Sequence, residues 1–292
     1  MKKINFFITA DTFPSISVTG KSCALMCKHC RGKLLSSLIP ALTCEELEKK
    51  ALSLHKQGAK GLLLTGGCDS HGKVPIGSFI PAIRKIKEKT DLILIVHTGF
   101  ITGGEAAGLR ESGIDGIGFD VLGDMTTARE IYGLEVSEYD YIESLRAIGN
   151  SGIMIFPHVC VGLHFGKIKG EVSALTLIQN IKPATIIITG LMSVAGTPME
   201  HVKPDPSDFG KVIKKAKEMF PATPIVLGCA HSSGKDREEI ERIALDNGIN
   251  GIAAPAIATI GRANRTGYEI YYYGACCGLM PDEKMRLSSI TE

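Results

Sequence analysis

Eight short runs of β-branched and small apolar residues recur along the chain with helix-patterned stretches between them, and this alternation leaves few folds open. The runs are 15–20 (SISVTG), 61–67 (GLLLTGG), 91–99 (DLILIVHTG), 114–123 (IDGIGFDVLG), 152–160 (GIMIFPHVC), 184–190 (ATIIITG), 224–229 (PIVLGC) and 250–256 (NGIAAPA). Helical patterns fill 44–57, 78–89, 103–111, 138–148, 206–219 and 235–247. Strands that are apolar on both faces and joined by helices belong to a parallel sheet. Eight such units predict an α/β fold, a (β/α)8 barrel of the TIM type. With no linker in view, a single domain over 1–292 is expected, its C-terminal part from about 257 packing at or across the barrel and YEIYYY (268–273) forming an edge strand. Chemistry in such a barrel sits on the loops after the strands, and that is where Thr19, Thr65, His97, Asp120, His158, Cys160, Thr189, Cys229 and His231 fall.

Composition narrows the class. At 44% hydrophobic the chain can bury a large core, which excludes disorder. A net charge of +2 and the absence of any long basic tract give no reason to expect nucleic acid or an anionic membrane as partner. The N-terminal apolar stretch is broken by Asp11 and Pro14 and reads as mature protein. No run approaches the roughly 20 residues of a membrane span, so a cytoplasmic protein is expected. Nine cysteines in such a chain point to metal ligation or catalysis more than to disulfides.

Directly after the first run stands Cys23-Ala-Leu-Met-Cys27-Lys-His-Cys30, a C-x3-C-x2-C sequence. Thiolates hold iron–sulfur clusters, and a cubane takes four ligands, so three cysteines on one loop leave one iron open to substrate. Zinc is the alternative, with Cys44 or His29 as a fourth ligand.

The triplet resembles that of the radical S-adenosylmethionine (SAM) superfamily, and the chain is similar to its biotin-synthase-like branch. The resemblance implies a 4Fe–4S cluster on Cys23, Cys27 and Cys30 that reductively cleaves SAM to a 5′-deoxyadenosyl radical for hydrogen abstraction from substrate. Further motifs follow in family order. Gly66-Gly67-Cys68-Asp69 stands where the family contacts the SAM amino group, although Cys68 replaces the family's glutamate and leaves Asp69 or the backbone to serve. Asp120 and Arg129 match positions near the ribose or carboxylate. Cys160, Gly162 and Leu163 lie in an element that flanks adenine, and Gly196-Thr197-Pro198 resembles a biotin-synthase stretch. Met26 corresponds to an apolar residue near adenine or is core filler.

Biotin synthase holds its sacrificial 2Fe–2S cluster on residues that correspond to Leu64, Ile95, Phe156 and Leu227, none of which ligates iron, so biotin synthesis itself is not expected. Cysteines stand instead at Cys68, Cys160, Cys229, Cys276 and Cys277, as ligands of an auxiliary iron–sulfur cluster or as small buried hydrophobes. His231 and Arg262 are candidate substrate contacts. The resemblance extends to two-component lipoyl synthases. It implies sulfur insertion into an octanoyl chain on a carrier-protein lysine, a paralogous partner enzyme, and a reductant such as ferredoxin or flavodoxin. A radical SAM mutase, lyase or cofactor maturase with the SAM cluster alone is the alternative, and a non-catalytic iron–sulfur or zinc scaffold a more distant one.

Overall fold

The computed structural model describes residues 2–232, 234–279 and 287. Eleven strands form one wholly parallel sheet in the order β11-β1-β10-β9-β8-β7-β6-β5-β4-β2-β3. All eight expected runs supply strands: β2 (Ser15–Ser17), β4 (Gly61–Thr65), β5 (Ile93–His97), β6 (Gly116–Asp120), β7 (Met154–Val161), β8 (Ile186–Gly190), β9 (Ile225–Leu227) and β10 (Gly251–Ala253). Three more join them: β1 (Lys2–Phe7), β3 (Ile39–Pro40) and β11 (Tyr268–Tyr273), the last at the sheet edge. The TIM-type α/β class stands, but strand number and closure differ from expectation. β1 takes the place beside β10, and no ladder joins β3 to β11 among the described residues, so the sheet curls into an open barrel.

Helices α1 (Cys44–Lys56), α2 (Ile80–Lys89), α3 (Gly103–Glu111), α4 (Met125–Thr127), α5 (Glu138–Ser151), α6 (Glu171–Ile178), α7 (Pro206–Met219), α8 (Gly234–Asp246) and α9 (Ile257–Arg265) connect the strands. Their starts are written locally. Thr43 caps α1 by accepting from the Glu46 amide at 3.1 Å, Thr102 and Glu105 form a capping box on α3, and Asp205 followed by Pro206 opens α7. One apolar layer lies between strands and helices; β8, for example, is buried along its whole length.

A second layer lies inside the curl. Phe7, Ile95, Phe156, Ile187, Val226 and Ala253 come from six different strands yet pack in one cluster, which a flat sheet does not allow. Tyr273, Ala275, Cys277 and Leu279 enter the same cluster, so the segment after β11 fills the barrel floor. Its backbone is tied there by Thr185, whose hydroxyl donates to the Gly278 carbonyl at 2.9 Å.

Candidate functional site

The upper wall of the lumen follows from the floor. Side chains alternate along a strand, so with Ile95, Phe156 and Ile187 pointing inward, His97, His158, Cys160 and Thr189 point inward above them. Between the two histidines stands Gly118, where a Cβ would come within 2.3 Å of His97 Nε2 and 3.1 Å of His158 Cε1. The bare backbone there lets the rings meet edge to face, with centroids 5.0 Å apart. Burial holds both imidazoles below their usual range, His97 at about 4 with His158 adding to the effect, while the nearby Asp120 carboxylate opposes it. His158 Nδ1 is buried without a hydrogen-bond partner. Asp120, at the exposed end of β6, faces this wall and acts electrostatically on Cys68, Cys160 and Tyr132 as well.

The cysteine triplet lies on the loop after β2, held by a hydroxyl and a bare backbone. Thr19 Oγ1 accepts from the Gly67 amide at 2.7 Å and donates to the Ser22 carbonyl at 2.9 Å. A Cβ on Gly67 would stand 2.0 Å from the Ser22 oxygen and 2.6 Å from Cys23 Cα, so only glycine lets the two loops touch. The Cys68 carbonyl accepts from the Ala24 amide at 2.8 Å, and the Ile131 carbonyl from the Lys28 amide at 2.8 Å.

The sulfur and nitrogen atoms of Cys27, His29 and Cys30 lie within 4.8 Å of one another, with Cys23 outside that group against Gly67. The Cys27 thiol donates to the Cys30 sulfur; this bond drives Cys27 up and Cys30 well down, and His29 also favours the Cys30 thiolate. His29 packs on Tyr132 with ring centroids 5.4 Å apart, and its Nδ1 is buried without a partner.

The remaining expected positions divide. Gly66 and Gly67 lie in the cradle, and Cys68 turns its thiol toward the triplet, pushed up to about 12 by burial and by the charge of Cys23. Asp69 Oδ1 accepts from the amides of His71 at 2.8 Å and Lys73 at 3.0 Å, which folds its own loop. Arg129 lies on an exposed π-helical turn and pairs with Glu135 at 3.1 Å. Gly162, at φ +73°, packs beneath Pro204 and donates its amide to the buried Glu171, and Leu163 is buried beside it.

Two expectations are corrected. His231 is buried with both ring nitrogens engaged within the protein, Nδ1 at 2.7 Å from the Gly228 carbonyl and Nε2 at 3.2 Å from Glu241, so it ties the end of β9 to α8. Arg262 pairs with Asp246 at 2.9 Å across α8 and α9 on the outside of the barrel. Neither pairing is visible in local sequence. The His97–Gly118–His158 arrangement was not singled out from sequence either, although a glycine at an inward strand position is a signal for close approach.

The five other cysteines fall in three places. Cys68 stands with the triplet. Cys160 is on β7 beside its partner Thr189, raised to about 12 by burial although the Thr189 hydroxyl works against it. Cys229 is accessible on the loop after β9; desolvation and the nearby Cys276 push its thiol up. Cys277 donates to the Cys276 sulfur, which lowers Cys276 and raises Cys277.

No family model matches the chain. It is 27% identical over 176 residues to the biotin synthase of Aromatoleum aromaticum, covering 58% of this chain and 52% of that one. To the biotin synthase of Maricaulis maris it is 26% identical over 262 residues, covering 83% and 73%. The chain thus spans about half the length of the first relative and about three quarters of the second. Its fold superposes on the FeFe-hydrogenase maturase HydG of Carboxydothermus hydrogenoformans with a TM-score of 0.64 at 16% identity, over 94% of this chain and 69% of that one. The cradle that presents Cys23, Cys27 and Cys30 above a parallel open barrel, together with this likeness to biotin synthases, supports a biotin-synthase-like member of the radical SAM superfamily.

Proposed function

We propose that the chain is a radical SAM enzyme that generates a substrate radical inside its barrel and uses it for sulfur insertion, as in lipoyl synthesis. Membership of the superfamily implies a 4Fe–4S cluster and SAM. The residues fit such a cluster: Cys27 and Cys30 with their sulfurs within 4.8 Å, a third cysteine on the same loop, and a glycine cradle that a Cβ would destroy. When bound, the cluster supplies the electron that splits SAM into methionine and a 5′-deoxyadenosyl radical. The protein's part is to hold the triplet through Thr19 and Gly67, to line the space beside it with His97, Asp120, His158 and Cys160, and to close the floor with apolar side chains that keep water out.

The observation that carries sulfur insertion is that Cys229 lies near enough to Cys276 and Cys277 for the thiols to act on one another electrostatically, the latter two on the segment that fills the floor. Thiols from elements far apart in sequence, brought near one another beside the apolar floor, suit ligands of an auxiliary iron–sulfur cluster that gives up sulfide. Cys160 is the inward-facing thiol on the same lumen wall. The substrate on this reading is an octanoyl chain on a carrier-protein lysine, with a paralogous partner enzyme completing the second insertion.

A second reading, a mutase, lyase or maturase with the SAM cluster alone, draws on the separation of the five cysteines into three places. Iron and acid-labile sulfide per chain, measured on anaerobically reconstituted protein, decide between them. In the Cys23/Cys27/Cys30→Ala triple variant, about four irons are expected to survive if an auxiliary cubane exists. Loss of all iron overturns sulfur insertion from a second cluster. SAM cleavage that persists in Cys27→Ala overturns the radical SAM reading itself.

A further inference from the structure

The outer side of the triplet loop carries a patch that the reaction inside the barrel does not use. Lys28 lies between the ligands Cys27 and Cys30, and Arg31 follows Cys30; both are exposed, and neither has an ion-pair partner among the described residues. Across from them the loop after β7 presents Phe165, 38% exposed, with the Lys28 ammonium 5.5 Å from its ring centroid. Lys167 and Ile168 continue that loop, both exposed, and Lys167 is likewise unpaired. The acids nearby are mostly engaged: Asp124 by Lys169, Asp236 by Lys203, and Glu200 by the Gly196 amide and His201. Glu130 is the exposed acid on the neighbouring turn.

The backbone is strained to make this display. Among the described residues, four besides glycine sit at positive φ, and two of them, Arg31 at +47° and Phe165 at +50°, belong to the patch. Strain of this kind costs about 1–3 kcal/mol per residue and persists where function keeps it. An exposed aromatic with an unpaired lysine over its ring, and two further unpaired cations on the same two loops, is the composition of a protein-binding surface that selects an acidic partner.

We infer that this patch docks an acidic electron-transfer protein, and that Lys28, Arg31, Phe165 and Lys167 set its orientation for electron delivery to the triplet. The inference rests on the radical SAM reading, which requires a reductant. An electron donor is favoured over a substrate carrier because the patch is continuous with the ligand loop itself. A partner bound there is a few covalent bonds from Cys27 and Cys30. In the transfer, a flavin hydroquinone anion loses one electron to become the neutral semiquinone and the oxidised cluster gains it; no bond or proton moves.

The test uses the anaerobically reconstituted chain and flavodoxin as the acidic donor. Oxidised flavodoxin binding is followed by flavin fluorescence, and 5′-deoxyadenosine release is measured with either reduced flavodoxin or dithionite. Lys167→Glu, remote in sequence from the triplet, and Lys28→Glu are each expected to weaken binding and flavodoxin-driven release roughly tenfold at low salt, with the effect shrinking as salt rises. In Lys167→Glu, dithionite-driven release should stay within about twofold of wild type, and Lys167→Arg should restore the flavodoxin rate. Unchanged flavodoxin binding and rate in Lys167→Glu overturns the inference. Loss of the dithionite rate in the unsubstituted protein counts against the enzymatic reading, and the binding measurement then still decides the docking surface.

Discussion

Thr19 connects sequence to chemistry through a single oxygen. Its hydroxyl joins the Gly67 amide to the Ser22 carbonyl, so two loops from different strands meet where the cysteines must be presented. Thr19→Val keeps the shape but strands both groups, at a cost of about 1–3 kcal/mol, and is expected to lower both the melting temperature and the iron retained after reconstitution. Thr19→Ser should retain both; equal iron retention in the valine variant would remove Thr19 from the cradle. Gly67→Ala is expected to lose iron outright, because its Cβ meets backbone and not a movable side-chain tip. His97 gives a pH-dependent consequence. Its folded value of about 4 lies below the ordinary 6.5, so between these pH values the unfolded chain binds a proton that the native state refuses. Stability therefore falls as pH drops through that window, by up to about 3 kcal/mol from this group. Urea midpoints at pH 4.5 and 7 should differ less in His97→Gln than in wild type; an unchanged difference means the ring is not held neutral.

The segment after β11 behaves as an element of the barrel, though it is neither helix nor strand. Gly278 lies on the face of the Phe156 ring, where a Cβ would stand 2.6 Å from the nearest ring carbon. Phe156→Ala is expected to cost about 3–5 kcal/mol by opening a cavity in the floor. Gly278→Ala should cost about 1–3 kcal/mol by overpacking, and less in a Phe156→Leu background, where the smaller side chain gives room. Additive losses in a double-mutant cycle would show that the two do not meet. This element also marks the limit of what sequence discloses. The eight apolar runs became strands because burial on both faces writes itself as an uninterrupted local pattern, and the triplet was legible because its ligands share one loop. β1 was not read: its KKINFF begins with two charges, and its partners β10 and β11 lie more than two hundred residues away. α6 shows no clear polar face, with Ala174, Leu175, Leu177 and Ile178 all buried. The grouping of Cys229 with Cys276, and the withdrawal of His231 to Glu241, depend on how distant segments cross inside a barrel, which no spacing encodes.

The open barrel is unequally supported, and one of its weakly laddered parts, at the edge of the sheet, carries the chemistry. β6 and β7 share five register pairs and β7 and β8 four, whereas β2 is joined to β4 by three and β3 to β2 by two. The triplet loop hangs between β2 and β3, beside the seam where the sheet does not close. Few ladder bonds and an edge position mean that this side opens at lower free energy than the centre. A cluster and SAM bind only the closed arrangement, so they add stability there by mass action, about 2.7 kcal/mol for a ligand at a hundredfold its dissociation constant. Hydrogen exchange followed by mass spectrometry is therefore expected to show fast exchange in peptides covering 15–40 of the cluster-free protein and slow exchange in β6 to β8. Reconstitution with iron, sulfide and SAM should slow the first region by roughly tenfold or more while leaving the second nearly unchanged. Protection that rises evenly over the whole sheet would mean that the barrel opens as one unit and that the seam has no part in admitting the cluster. Protection confined to 15–40 would show that the unclosed edge is the part of the fold that the cluster completes.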